Sequence, residues 1–154
     1  MSHADLIDQI MMVMEQAFDP IWGEAWNRNQ VAGALAMPTT YAILVDAGGR
    51  HTGPMGPPAA GFVLSRNAPG EEELLLIAVS PDHRRKGLGK ILIEELAKAA
   101  RSRGAERIFL EMRSNNPAES LYRLAGFEPI GKRKNYYLKS DGERLDAITF
   151  GLTI

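Results

Sequence analysis

Leu74-Leu75-Leu76-Ile77-Ala78-Val79-Ser80-Pro81-Asp82-His83-Arg84-Arg85-Lys86-Gly87-Leu88-Gly89-Lys90-Ile91-Leu92-Ile93 is the stretch on which the fold turns. Its first six residues form an unbroken apolar run, the pattern of a strand covered on both faces. Ser80-Pro81-Asp82 interrupts the run, a basic turn punctuated by Gly87 and Gly89 follows, and from Lys90 the apolar spacing is helical. A strand that delivers a glycine-bearing turn to a helix start makes an anion site, because unpaired N–H groups and the helix dipole converge there. Spacing excludes two common versions of such a site. A Walker-type phosphate loop ending in Gly89-Lys90 needs glycine at 84 and Ser or Thr at 91, and the chain has Arg84 and Ile91. A dinucleotide fingerprint starting at Gly87 needs a small residue at position 92, where Leu92 stands.

The flanking sequence builds strands and helices around that turn. Ile91, Leu92, Ile93, Leu96, Ala97 and Ala100 carry a helical stripe to Arg103, and Gly104 is a helix stop. Residues 108–112 read as a second buried strand, so the strand–helix–strand order implies a parallel crossover. Parallel pairing sets Glu111 near the C-terminal end of the 74–79 strand, where a carboxylate among apolar neighbours is a candidate general base. The alternative is a strand-end carboxylate paired with Arg113 or facing water. Upstream, residues 4–18 read as an amphipathic helix ended by Asp19-Pro20, with methionines as core filler. A second helix is expected from near Gly23, carrying Trp26, Val31, Ala34 and Leu35 before Pro38 stops it. Phe18, Trp22 and Trp26 around the break between these helices are candidates to line a substrate groove. Residues 41–46 and 60–65 read as strands, the latter paired antiparallel with the strand beginning at Glu73. The glycine- and proline-dense stretch 47–58 has no period and reads as a mobile loop.

With 154 residues the chain, 1–154, is expected to form a single domain around one core. Its 45% apolar and 24% charged residues are ordinary for a globular protein, and a net charge of −1 argues against a surface built for bulk nucleic-acid binding. The absence of cysteine removes disulfides, thiol nucleophiles and thiolate metal sites. His3, His51 and His83 are far apart in polar segments, and no metal is expected. No segment approaches the roughly 18 apolar residues of a membrane helix, and the N-terminus lacks the layout of a signal peptide, so the expectation is a cytoplasmic protein with no membrane partner.

Two motifs then converge. The turn reads Arg84-x-x-Gly87-x-Gly89 after a strand, and residues 115–127 read Asn115-Asn116-Pro117-Ala118-Glu119-Ser120-Leu121-Tyr122-Arg123-Leu124-Ala125-Gly126-Phe127. Asn115 fits an N-cap, Pro117 a first turn and Gly126 a stop. In this order and at this distance, the two blocks resemble the acetyl-coenzyme A signature of the GNAT N-acetyltransferases. The tail, Arg133-x-Asn135-Tyr136-Tyr137, then Asp141-Gly142, then Asp146-Ala147-Ile148, looks like the RimI branch of that family, which acetylates the N-terminal alanine of a small-subunit ribosomal protein in bacteria.

The resemblance covers residues 60–152 well and thins before them. It implies an α+β fold in three layers (α/β/α), with a mixed, twisted sheet of about six strands splayed to admit coenzyme A. It further implies that Glu111 is the base and Tyr122 the acid of acetyl transfer. Backbone at Ile77, Ala78 and Val79 would hold the pantetheine arm. Arg85, Lys86, Gly87, Leu88, Gly89 and Lys90 would hold the pyrophosphate, with Arg84 completing a phosphate-attracting cluster, and Asn115 would contact the coenzyme. Trp26, Tyr136, Tyr137 and Asp141 would flank the acceptor groove. The implied partners are acetyl-coenzyme A and the N-terminal peptide of a ribosomal protein, with no direct nucleic acid. A small-molecule amine acceptor and a non-catalytic acyl-coenzyme A-binding module are the alternatives, and the presence of both Glu111 and Tyr122 speaks against the second. The chain departs from the pattern in three places. It starts almost at its first helix, has one residue fewer between Arg113 and Asn115, and carries a longer insert at 48–58.

Overall fold

The computed structural model describes residues 3–18, 25–139 and 141–154. The expected start of the second helix near Gly23, and Trp22, lie outside them. Six strands, β1 (Thr40–Val45), β2 (Gly61–Ala68), β3 (Glu71–Val79), β4 (Arg107–Arg113), β5 (Glu128–Leu138) and β6 (Arg144–Thr153), form one sheet in the order β1-β2-β3-β4-β6-β5. Among the described residues only β3 and β4 pair parallel, as the crossover through α3 (Leu88–Ser102) requires. The helices α1 (His3–Ala17) and α2 (Arg28–Leu35) cover one face, where Ile10, Val13, Met14 and Val31 pack on Phe62, Leu64 and Leu76. On the other face α3 and α4 (Glu119–Leu124) set Leu92, Leu96, Ala100 and Tyr122 against Val63, Ile108, Leu110 and Phe150. The expected three-layer arrangement with a mixed sheet is the one observed.

The apolar run at 74–79 has a local cause. Leu64 pairs with Leu76 but Ser65 pairs with Leu74, so Leu75 is an extra, bulged residue. The bulge switches the alternation: Leu74 belongs to the α3 side of the sheet, whereas Leu76 and Ala78 belong to the α1 side. Pairing between β3 and β4 covers only Glu71–Glu73 against Arg107–Phe109. Beyond those rungs the two strands part, and a gap opens toward their C-terminal ends.

Helix ends follow their local chemistry. At the start of α2, Asn27 Oδ1 accepts the Gln30 N–H and Gln30 Oε1 accepts the Asn27 N–H, each at 2.8 Å. This capping box starts the helix after Trp26, which α2 therefore does not carry. Gly104, at φ 88, ends α3 with the Ala105 N–H donating to Ala100 O at 2.9 Å. The preceding residue, Arg103, turns back to the sheet and grips the fully buried Glu72 through both its Nε and Nη2. Ser65 Oγ and Asn67 Nδ2 also donate to that carboxylate.

The loop 47–58 is anchored at several points. Asp46 Oδ1 accepts the N–H groups of Gly48 and Arg50, His51 Nε2 lies 3.0 Å from Glu95 Oε2 on α3, and Gln9 of α1 bonds Gly53 and Ala59. These tethers tie the loop to α1 and α3. Among the described residues, no helix is long and apolar enough to cross a membrane, and no three metal-ligating side chains come together.

Candidate active site

The gap between β3 and β4 opens into a cleft of about 990 Å³. Its floor is 74–79 of β3 and 110–113 of β4; one side is the 83–90 turn with Leu121 and Tyr122, and the other carries Phe18, Trp26 and Tyr137.

The turn is shaped by two left-handed residues, Arg85 at φ 63 and Gly87 at φ 78. The first helical hydrogen bond of α3 runs from the Ile91 N–H to Gly87 O. Among the described residues the amides of Arg85 to Lys90 have no backbone acceptor, as a helix start with no side-chain cap demands. A Cβ on Gly89 would stand 3.0 Å from Leu121 Cδ2, so glycine here lets α3 and α4 approach. Arg84 is at the cleft and is also engaged by backbone. Its Nη2 donates to Ala17 O at 2.5 Å and its Nε to Val79 O at 3.3 Å, which fastens the end of α1 to the turn. Arg84, Arg85, Gly87, Leu88, Gly89 and Lys90 line the cleft; Lys86 does not.

Glu111 sits mid-cleft on β4, opposite Thr149 of β6, with its side chain 25% exposed. The Tyr137 hydroxyl donates to Glu111 Oε1 at 3.4 Å, and Arg133 Nε lies 3.6 Å from Oε2. The ion partner is thus Arg133, while Arg113 lies over the Tyr137 ring at 5.1 Å. Burial, and then the charge and hydrogen bond of Glu111, push the Tyr137 phenol above the usual tyrosine range. Tyr122 is buried on α4 and held by that helix's end. Gly126 is left-handed, the Phe127 N–H donates to Tyr122 O at 3.0 Å, and the two rings meet edge-to-face at 5.7 Å. The tyrosine…glycine-phenylalanine spacing is therefore a helix-capping device that fixes Tyr122 at the cleft.

Ile77, Ala78 and Val79 line the cleft on the stretch of β3 that has left β4. The N-cap expected at Asn115 is not observed, since Ala118 stands at the start of α4. Asn115 is exposed and caps no helix; Asn116 lines the cleft, and its Oδ1 accepts the Ala118 N–H at 2.8 Å. Tyr136 and Asp141 also fall away from the cleft. Tyr136 is 50% exposed, with Arg133 over its ring, and Asp141 accepts from the Glu143 N–H and pairs with Lys139 within its own hairpin. Trp26 and Tyr137 remain on the wall, joined by Gln30, which sequence reasoning missed.

A mixed sheet split at its parallel pair, with an amide-lined turn at one end of the split and a carboxylate and a buried phenol along it, is suited to group transfer from an anionic carrier. Residues 8–127 match the model of the acetyltransferase (GNAT) family, and the chain belongs to that family. Over 96 residues it is 41% identical to the ribosomal protein bS18-alanine N-acetyltransferase of Escherichia coli K12, covering 62% of this chain and 64% of that protein. The counterpart from Haemophilus influenzae is 35% identical over 88 residues, 57% of this chain and 60% of that protein. These alignments span just under two thirds of the relatives' own length. The crystal structure of the Escherichia coli ribosomal-protein-S18-alanine N-acetyltransferase is similar at a TM-score of 0.77 and 29% identity, over 100% of this chain and 90% of that one.

Proposed function

We propose that the chain is an acetyl-coenzyme A-dependent N-acetyltransferase, one cytoplasmic domain acting on the N-terminal alanine of a small-subunit ribosomal protein. The observation that carries this reading is one cleft lined both by a glycine-bearing helix-start turn and by a carboxylate and a buried phenol. The unpaired amides from Arg85 to Lys90 suit a pyrophosphate, and the exposed Arg85, Lys86 and Lys90 add positive charge around them. Strand β3 past Glu73 offers backbone polar groups to an extended amide-bearing arm, since β4 has turned away. A thioester lying along that strand would meet Glu111 and Tyr122.

Glu111 accepts the proton that the acceptor ammonium must lose to become a nucleophile. Tyr122 donates to the departing thiolate. Tyr137 and Arg133 hold the Glu111 carboxylate in place. Trp26 and Gln30 supply the acceptor side, and the similarity to the bS18-alanine enzymes supports a peptide there. The test is thiol release from acetyl-coenzyme A with a short peptide bearing a free N-terminal alanine followed by arginine. The control peptide has a blocked N-terminus and one internal lysine. Turnover on the free N-terminus alone is the expected result. Turnover on the lysine, or on a polyamine and neither peptide, overturns the substrate assignment; binding without any turnover overturns the enzyme assignment.

A further inference from the structure

Asn135 and Asp146 belong to the tail motif, yet no step of the proposed chemistry uses either. The β5–β6 ladder pairs Arg133 with Ala147 and Tyr137 with Leu145, so residues 134–136 bulge opposite Asp146 alone. Asn135 occupies the bulge at φ 53, a left-handed conformation that asparagine tolerates and β-branched residues do not. Its N–H donates to Asp146 Oδ1 at 2.9 Å, and Asp146 Oδ2 lies 3.2 Å from Lys132 Nζ. The carbonyl of Asp146 accepts the Ser114 N–H at 3.0 Å, just beyond β4. One residue therefore ties the bulge to the strand that carries Glu111. Without the two extra residues, the position opposite Leu145 would be Asn135, whose short amide cannot reach where the Tyr137 phenol reaches.

We propose that Asp146 is a positioning residue that caps the β5 bulge and so holds the Tyr137 hydroxyl on Glu111. Its consequence for turnover rests on the acetyltransferase reading above, whereas the positioning itself can be read without catalysis. The Tyr137 ring is faced by Glu111, Arg113 and Tyr136, and burial followed by Glu111 moves its ionisation to higher pH.

Ultraviolet titration of the tyrosines, compared between the wild-type protein and Tyr137→Phe, identifies the Tyr137 step. In Asp146→Ala that step moves down toward the free-tyrosine range. In Asp146→Asn, which still offers an oxygen to the Asn135 N–H, most of the shift is restored. Lys132→Ala, which removes only the exposed ion pair, leaves the step where it was. An unmoved step in folded Asp146→Ala overturns the proposal, and so does an equal shift in Lys132→Ala. If Asp146→Ala does not fold, Asn135→Val, which drives the bulge out of its left-handed conformation with Asp146 intact, is expected to lower the same step, and no movement overturns the proposal. Turnover supplies a second arm. Asp146→Ala and Tyr137→Phe each lower kcat about tenfold, and the double variant is no worse than Tyr137→Phe; multiplicative losses overturn the proposal. A moved titration step with unchanged kcat in both single variants supports the positioning and counts against the acid–base reading of Glu111.

Discussion

Gly87 and Gly89 serve one turn for different reasons, and substitution separates them. Gly87 is left-handed with open space around its missing Cβ, so Gly87→Ala costs roughly 1 kcal/mol of backbone strain. Gly89 faces Leu121, so Gly89→Ala pushes on α4, and acetyl-coenzyme A affinity is expected to fall about tenfold by calorimetry, or about 1.4 kcal/mol. Adding Leu121→Ala removes the obstructing methyls and restores most of that loss; failure to restore it would mean that Gly89 matters for some other reason. For the chemistry, Tyr122→Phe and Glu111→Gln are each expected to lower kcat by about 10²–10³ with little change in acetyl-coenzyme A affinity. The Glu111→Gln deficit should be deepest at low pH, where the acceptor amine holds its proton most firmly. The residues brought to the cleft were legible where motif and backbone geometry coincide, as at Gly87, Gly89 and Tyr122. They were not legible where side chains are taken by a local partner. Arg84 lines the cleft but also donates to Ala17 O and Val79 O, and of the two neighbouring asparagines it is Asn116, not Asn115, that lines the cleft.

At the scale of elements, the β3 bulge and the Glu72–Arg103 pair lie beside the last rungs before the sheet opens. The apolar run at 74–79 announced a covered strand but not its register, because a strand apolar on both faces does not encode which residue faces which way. Helix α2 starts after Trp26 because the Asn27-x-x-Gln30 box caps it there, a signal that stands in the sequence, whereas the tethers of the 47–58 loop are residues far away along the chain. Glu72 stands in a run of three glutamates that the sequence does not tell apart; the fold buries it fully beside Arg103. Burial acts to raise the Glu72 pKa, but Arg103, Ser65 and Asn67 together hold it below the usual carboxylate range. A lowered folded pKa contributes stability above the unfolded value, about 4.3, and loses it as pH falls further through the folded value. Arg103→Met leaves a buried carboxylate without its partner, and the expected cost near neutral pH is about 3–5 kcal/mol in urea unfolding. The same variant should close on the wild-type protein as pH falls, since Glu72 then folds protonated. A gap that stays constant with pH would show that Arg103 acts through packing alone.

The whole molecule places its two helical layers on opposite sides of a sheet that is split at the parallel β3–β4 pair, and the cleft takes lining from both layers. The α3–α4 layer contributes the turn and Tyr122; the α1–α2 layer contributes Phe18, Trp26 and Gln30. A ligand spanning the split should therefore stabilise the fold as one unit. At a free concentration 100 times its Kd, acetyl-coenzyme A is expected to add about 2.7 kcal/mol to the unfolding free energy. For a chain of this length that amounts to a rise in Tm of roughly 5–11 °C. Glu111→Gln and Tyr122→Phe should keep the rise, because they remove chemistry and not the turn, whereas Gly89→Ala should diminish it at fixed ligand concentration. Trp26→Ala separates the two ends of the cleft. It is expected to weaken the free-N-terminal peptide, read as a raised KM, while leaving the acetyl-coenzyme A rise in Tm intact. If it instead removes that rise and spares the peptide KM, the α1–α2 side belongs to the coenzyme, and the acceptor must enter between the turn and α4.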